Sequence, residues 1–127
     1  PNSEEMENLL NITINNREEV IKSAIKLYES GIEVVVVSLG GDGALLVCKD
    51  GVYHGKPPKI EVVNTVGCGD SMVAAFAVGM ERGYSNIDSL KYAISISAAN
   101  AMTFSTGNFN SDDVDNIFEN TQIMKIY

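Results

Sequence analysis

The sequence predicts an α/β fold, and three observations carry that prediction. A helix with apolar spacing feeds directly into the run Val34-Val35-Val36-Val37. Apolar strand-like segments alternate with helical patterns, and glycine-rich turns follow two of those segments, at 40–43 and at 67–69. A continuous β-branched run marks a strand buried on both faces, which points to a mostly parallel sheet flanked by helices. With 127 residues and 45% apolar content, the chain suits one domain spanning 1–127. That is large enough to bury a core, yet small for an enzyme that must hold two substrates.

Each element has its own signal. Asn2 or Ser3 caps a short helix running to residue 10, with Glu4 and Glu5 in the first turn where the helix dipole favours acids. Asn15-Asn16 cap a stronger helix over 17–30, on which Val20, Ile21, Ala24, Ile25 and Tyr28 recur at helical spacing and after which Gly31 stops it. The valine run at 34–37 is the first strand. A second spans 44–48, and Asp50-Gly51 turn it into a third at 52–54, making a hairpin. Beyond Pro57-Pro58, residues 60–63 read as another strand, and the glycine turn then launches a helix over 71–82 that stops at Gly83. A helix over 88–104 ends before Gly107, Ser111 caps a last helix to 119, and 123–126 reads as a closing strand.

The totals exclude several classes of function. A formal charge of −8 with no Lys/Arg cluster argues against nucleic acid or an anionic membrane as partner. Cys48 and Cys68 have neither disulfide nor metal spacing, and a lone His54 makes a zinc site a poor reading, so the chain suits a reducing, cytoplasmic setting. No apolar run reaches membrane-spanning length. The chain opens on Pro1-Asn2 rather than Met, as a piece of something longer would.

The chemistry concentrates at Asn64-Thr65-Val66-Gly67-Cys68-Gly69-Asp70-Ser71. Glycines at 67 and 69 let successive N–H groups converge, and the following helix adds its positive end, so the segment forms an anion cradle. Asp70 beside a phosphate is repulsive unless the acid accepts a proton from an incoming hydroxyl, which is the arrangement of phosphoryl transfer. The plain alternative is a strand-to-helix turn with Asp70 as an N-cap. In an open α/β sheet the ligand crevice lies beyond the carboxyl ends of the strands, where the turn Ser38-Leu39-Gly40-Gly41-Asp42-Gly43 also falls. Its glycines permit close approach to a nucleotide, or serve only as a tight turn. Asn2 and Glu5, three apart, would hold water around Mg²⁺, or simply cap. Met72, Met80 and Met102 read as core, and Asp112, Asp113 and Asp115 as a solvated helix start.

Asn2-x-x-Glu5, Val-Ser-Leu-Gly-Gly-Asp-Gly at 37–43 and Thr-Val-Gly-Cys-Gly-Asp-Ser-Met at 65–72, in that order, resemble the carboxy-terminal half of the PfkB (ribokinase-like) carbohydrate kinases. The likeness runs along the chain and is greatest to the sugar-phosphate branch, with 1-phosphofructokinase, minor 6-phosphofructokinase and tagatose-6-phosphate kinase. It implies a ribokinase-like fold and MgATP-dependent phosphorylation of a sugar hydroxyl, with ATP and a sugar phosphate such as fructose 1-phosphate as the small-molecule partners. By position, Asp70 is then the catalytic base and the backbone of Gly67, Cys68 and Gly69 the anion hole. Ser38, Gly40, Gly41, Gly43 and Asn100 would meet ATP, and Asn2 with Glu5 would organise Mg²⁺. Several members bind a monovalent cation such as K⁺, here near Asn64, Val66 and Gly107; Asn64 replaces a usual carboxylate, and Cys68 a usual small residue. The family's sugar-binding strands and β lid belong to an amino-terminal half with no pattern here, and family dimers commonly use that lid. The isolated segment is therefore expected to have little or no sugar kinase activity. Two other readings stand: a non-catalytic nucleotide-binding or structural module, and another branch, with ribokinase, nucleoside or hydroxymethylpyrimidine kinases.

Overall fold

The computed structural model describes residues 1–103 and 110–127. Helix α1 (Ser3–Leu10) opens on a capping box, in which Asn2 Oδ1 accepts the Glu5 N–H at 2.8 Å and Glu5 Oε1 accepts the Asn2 N–H at 3.1 Å. Helix α2 (Arg17–Glu29) is capped by Asn16, whose side chain accepts the Glu19 N–H. The strands are β1 (Val35–Ser38), β2 (Ala44–Cys48), β3 (Gly51–Lys56) and β4 (Gln122–Lys125), with a 3-10 turn, Gly40–Asp42, between the first two. The remaining helices are α3 (Cys68–Glu81), α4 (Asn86–Ala101) and α5 (Ser111–Asn120).

The α/β class holds, but the strands of this segment run differently from a mostly parallel sheet. They lie in the order β1-β2-β3-β4, and each neighbouring pair is antiparallel. Connection length is the cause: only residues 39–43 link β1 to β2 and 49–50 link β2 to β3, whereas a parallel pair needs a crossover of about a dozen residues or more. Among the described residues, parallel pairing occurs as the bridge between Asn2 and Ser38 on the outer edge of β1. The strand buried throughout is β2, while β1 alternates between buried and half-buried positions. Alternate residues of β2 serve two cores. Ala44, Leu46 and Cys48 pack with Met72, Leu90, Ile94 and Ile117 from the later helices, whereas Leu45 and Val47 pack with Met6, Val20, Ala24 and Leu27 from α1 and α2.

Residues 60–63 are not a strand. The Val63 and Asn64 N–H groups both donate to Ala101 O, at 2.7 and 3.0 Å. They thus satisfy a carbonyl at the end of α4, and those donors are lost to any sheet ladder. Helix α3 starts three residues before the expected 71, which puts Gly69 and Asp70 inside its first turn. Helix α4 starts at Asn86 behind the Ser85 cap, and the last helix is capped by Asn110, not Ser111, through a bond from the Asp112 N–H. The expected end of α4 at Phe104 lies outside the described residues. Met72 is in the core and Met102 packs against it, but Met80 is exposed. It shares an outward apolar face of α3 with Val73, Ala74 and Ala77.

The α3–α4 contact is close because position 79 has no side chain. A Cβ on Gly79 would lie 2.8 Å from Ser89 Oγ and 3.1 Å from Ser89 Cβ. Gly79→Val is therefore expected to lower stability by about 1–3 kcal/mol through overpacking, despite valine's better helix propensity. A fall in the urea midpoint checks it.

Candidate active site

The first turn of α3, the first turn of α1 and the end of β1 meet at one cleft. Asn2, Glu5, Ser38, Gly67, Gly69 and Asp70 line it, with Val36 and Met72 as apolar wall, and its volume is about 360 Å³. Ser38 arrives as the last residue of β1, and its N–H donates to Pro1 O at 2.9 Å, which draws the start of α1 alongside. The same capping box that starts α1 holds Asn2 and Glu5 at the cleft edge.

The glycine turn forms because Gly67, at φ +78°, takes the left-handed conformation as N-cap of α3. The Cys68 N–H turns back to Thr65 O at 3.2 Å, and the Ser71 N–H donates to Gly67 O at 2.9 Å. Between them, the N–H groups of Gly69 and Asp70 have no backbone acceptor among the described residues. Two orphan donors at a helix N-terminus are what an anion requires. The Asp70 side chain does not cap α3, since Gly67 occupies that position with no side-chain bond. Asp70 is exposed on the cleft, and among the described residues its carboxylate has neither an ion pair nor a hydrogen bond. Asp70 is thus not the N-cap, but the acid in the first turn of α3.

Other expected site residues fall elsewhere. Gly40, Gly41 and Gly43 do not line this cleft, although the turn they form adjoins Ser38. Asp42 faces Arg17 at 3.2 Å, and His54 Nε2 lies 2.8 Å from Asp42 O, which gives both residues partners on the hairpin surface. Asn100 is buried to 1% exposure beneath the turn, where its amide donates to Val66 O at 3.4 Å. The Cys68 thiol is half-buried beside Asn64 O. Of the residues implied for a monovalent cation, Asn64 and Val66 bond to each other through Asn64 Oδ1, and Gly107 lies outside the described residues. Sequence reasoning missed Ser97, whose hydroxyl donates to Cys68 O at 3.1 Å. Its available signal was a polar residue one helical turn before Asn100 on a largely apolar helix.

The residues at the cleft suit a hydrated divalent cation. Glu5 uses Oε1 in the capping box, and its other carboxylate oxygen has no partner among the described residues. Mg²⁺ commonly keeps several waters and takes only one or two protein carboxylates. A larger set is not formed, as no group of three or more His, Cys, Asp or Glu side chains among the described residues is placed to hold a metal.

The model of the pfkB family carbohydrate kinases matches residues 1–113. The chain belongs to that family. It is 38% identical over 127 residues to a 1-phosphofructokinase of Haemophilus influenzae, covering 99% of this chain and 41% of that one. A tagatose-6-phosphate kinase of Staphylococcus epidermidis is 35% identical, with 99% and 41% covered. Among solved structures, phosphofructokinase-2 of Escherichia coli in complex with potassium superposes with a TM-score of 0.88 at 31% identity, over 94% of this chain and 39% of that one. Ribokinase of Thermotoga maritima superposes at 0.80 with 27% identity, over 94% and 41%. This PfkB chain therefore has the ribokinase-like fold, and spans about two fifths of the length of the curated relatives it matches.

Proposed function

We propose that this chain is the nucleotide- and phosphoryl-handling part of an ATP-dependent sugar-phosphate kinase whose acceptor is fructose 1-phosphate or a related ketohexose phosphate. One observation carries the reading: among the described residues the Gly69 and Asp70 amides have no acceptor and the Asp70 carboxylate no partner, and both residues line the same cleft. In this reading the γ-phosphoryl group of ATP rests against the amides, whose partial positive charge stabilises the oxygens as charge builds on them. The Asp70 carboxylate takes the proton of the acceptor hydroxyl as that oxygen bonds to phosphorus. The bond from phosphorus to the bridging oxygen breaks, and ADP carries the electron pair away. Glu5 and Asn2 would hold Mg²⁺ through water, and the ion would neutralise phosphate charge. The likeness to 1-phosphofructokinase and tagatose-6-phosphate kinase supports the choice of acceptor. Acceptor-binding residues are proposed to lie in the portion of those relatives that this chain does not span.

Calorimetric titration with MgATP tests the nucleotide half of the proposal. Saturable binding is expected, weakened by Glu5→Gln and by removal of Mg²⁺. Absence of saturable heat at millimolar nucleotide would leave the segment a purely structural role.

A further inference from the structure

We propose that Ser97, together with Asn100, is a positioning residue that aims the amides of Gly67 and Gly69 into the cleft. The proposal rests on the reading of that cleft as a phosphoryl site. In a planar trans peptide the C=O and the N–H point in opposite directions. The Ser97 hydroxyl donates to Cys68 O at 3.1 Å, and the N–H of that same peptide belongs to Gly69. The Asn100 amide donates to Val66 O at 3.4 Å, and the N–H of that peptide belongs to Gly67. Ser97 and Asn100 lie one helical turn apart on α4, so the helix draws both carbonyls the same way. Both glycines line the cleft, whereas neither Ser97 nor Asn100 does. On this geometry the two N–H groups are turned away from α4 and toward the cleft.

Glycine backbones need such a hold. Gly67, the left-handed N-cap, has no side chain to fix its peptide plane, and Gly69 lies in the first turn of α3, where helices fray. Helix α4 is a firm anchor, being buried at Ile94, Ser95, Ala98, Ala99 and Asn100. A carbonyl grip from behind leaves the cleft face free for ligand, which a bond to the amides themselves would not.

The test uses the 127-residue chain, labelled with ¹⁵N, as wild type, Ser97→Ala and Ser97→Thr. Loss of one neutral hydrogen bond is expected to weaken MgATP binding by about 3- to 10-fold. MgADP, which lacks the group held at the glycines, should change by less than about 2-fold, and threonine should restore both values. Equal weakening for both nucleotides, or no rescue by threonine, would overturn the assignment. In the ligand-free chain, Ser97→Ala should broaden the Gly67 and Gly69 amide signals through microsecond-to-millisecond exchange, with Ser97→Thr as sharp as wild type. Unchanged signals would overturn the clamp whether or not nucleotide binds. Failure of wild type to bind MgATP, with the broadening present, would instead retire the phosphoryl reading and leave the grip on the turn standing.

Discussion

Gly43→Val is expected to destabilise the fold by about 2–6 kcal/mol, a large share of the ~5–15 kcal/mol available to a typical domain. Gly43 sits at φ +89°, ψ −126°, where a side chain is strained whatever space surrounds it. Space is also lacking. A Cβ there would run into Gly55 O on β3 and come within 3.0 Å of Pro57 Cδ, and neither a backbone carbonyl nor a proline ring can rotate away. The two costs are about 1–3 kcal/mol for the conformation and about 1–3 for the overlap. Gly43 also closes the turn between β1 and β2, with its N–H donating to Gly40 O at 3.1 Å and its carbonyl accepting the Leu39 N–H at 2.8 Å. Displacing it disturbs the Ala44–Gly55 pairing and, through β1, the placement of Ser38. Gly41→Val is the control. Nothing lies within 4 Å of a Cβ at 41, so its urea midpoint should stay close to wild type. Equal midpoints for the two variants would contradict this account of the turn.

The sequence could be read well where a signal is local. Asn16 followed by spaced apolar residues specifies α2, and Asp50-Gly51 specifies the β2–β3 hairpin, because caps and turns depend on neighbours along the chain. Strand direction was also present, as the short links at 39–43 and 49–50 forbid crossovers, but the valine run suggested parallel burial. That run alternates in burial, and the fully covered strand is β2, since burial depends on which strand ends up central. Residues 60–63 have strand-like composition, yet their backbone goes to Ala101 O, a partner some forty positions away that composition does not reveal.

The site shows the same division. Motif order points to Asn2, Glu5, Ser38, Gly67, Gly69 and Asp70, and these six share a cleft. Family position puts Asn100 near the nucleotide but does not tell on which side of the turn its side chain lies. Burial puts it behind the glycines. Ser97 carries no motif, and only the packing of α4 on α3 shows its hold on Cys68 O.

For a kinase that carries this segment with its acceptor-binding part, Asp70→Asn is expected to lower kcat by about 10²- to 10⁴-fold, the usual contribution of a general base. Asparagine keeps the size of the side chain and removes its ability to take a proton. It also removes a negative charge beside phosphate, so nucleotide affinity should hold or improve. Loss of a purely structural residue would give the opposite pattern, with binding and turnover falling together. Asp70 is exposed and its carboxylate has no partner among the described residues, so the variant is expected to fold as wild type does, which a thermal melt checks.

The central claim is best tested by measuring kcat and the MgATP Kd on one preparation of that Asp70→Asn enzyme. The account predicts turnover down by at least about a hundredfold with Kd no weaker than wild type. Turnover within a hundredfold of wild type, or a Kd that weakens in step with it, would contradict the assignment of Asp70 as the base.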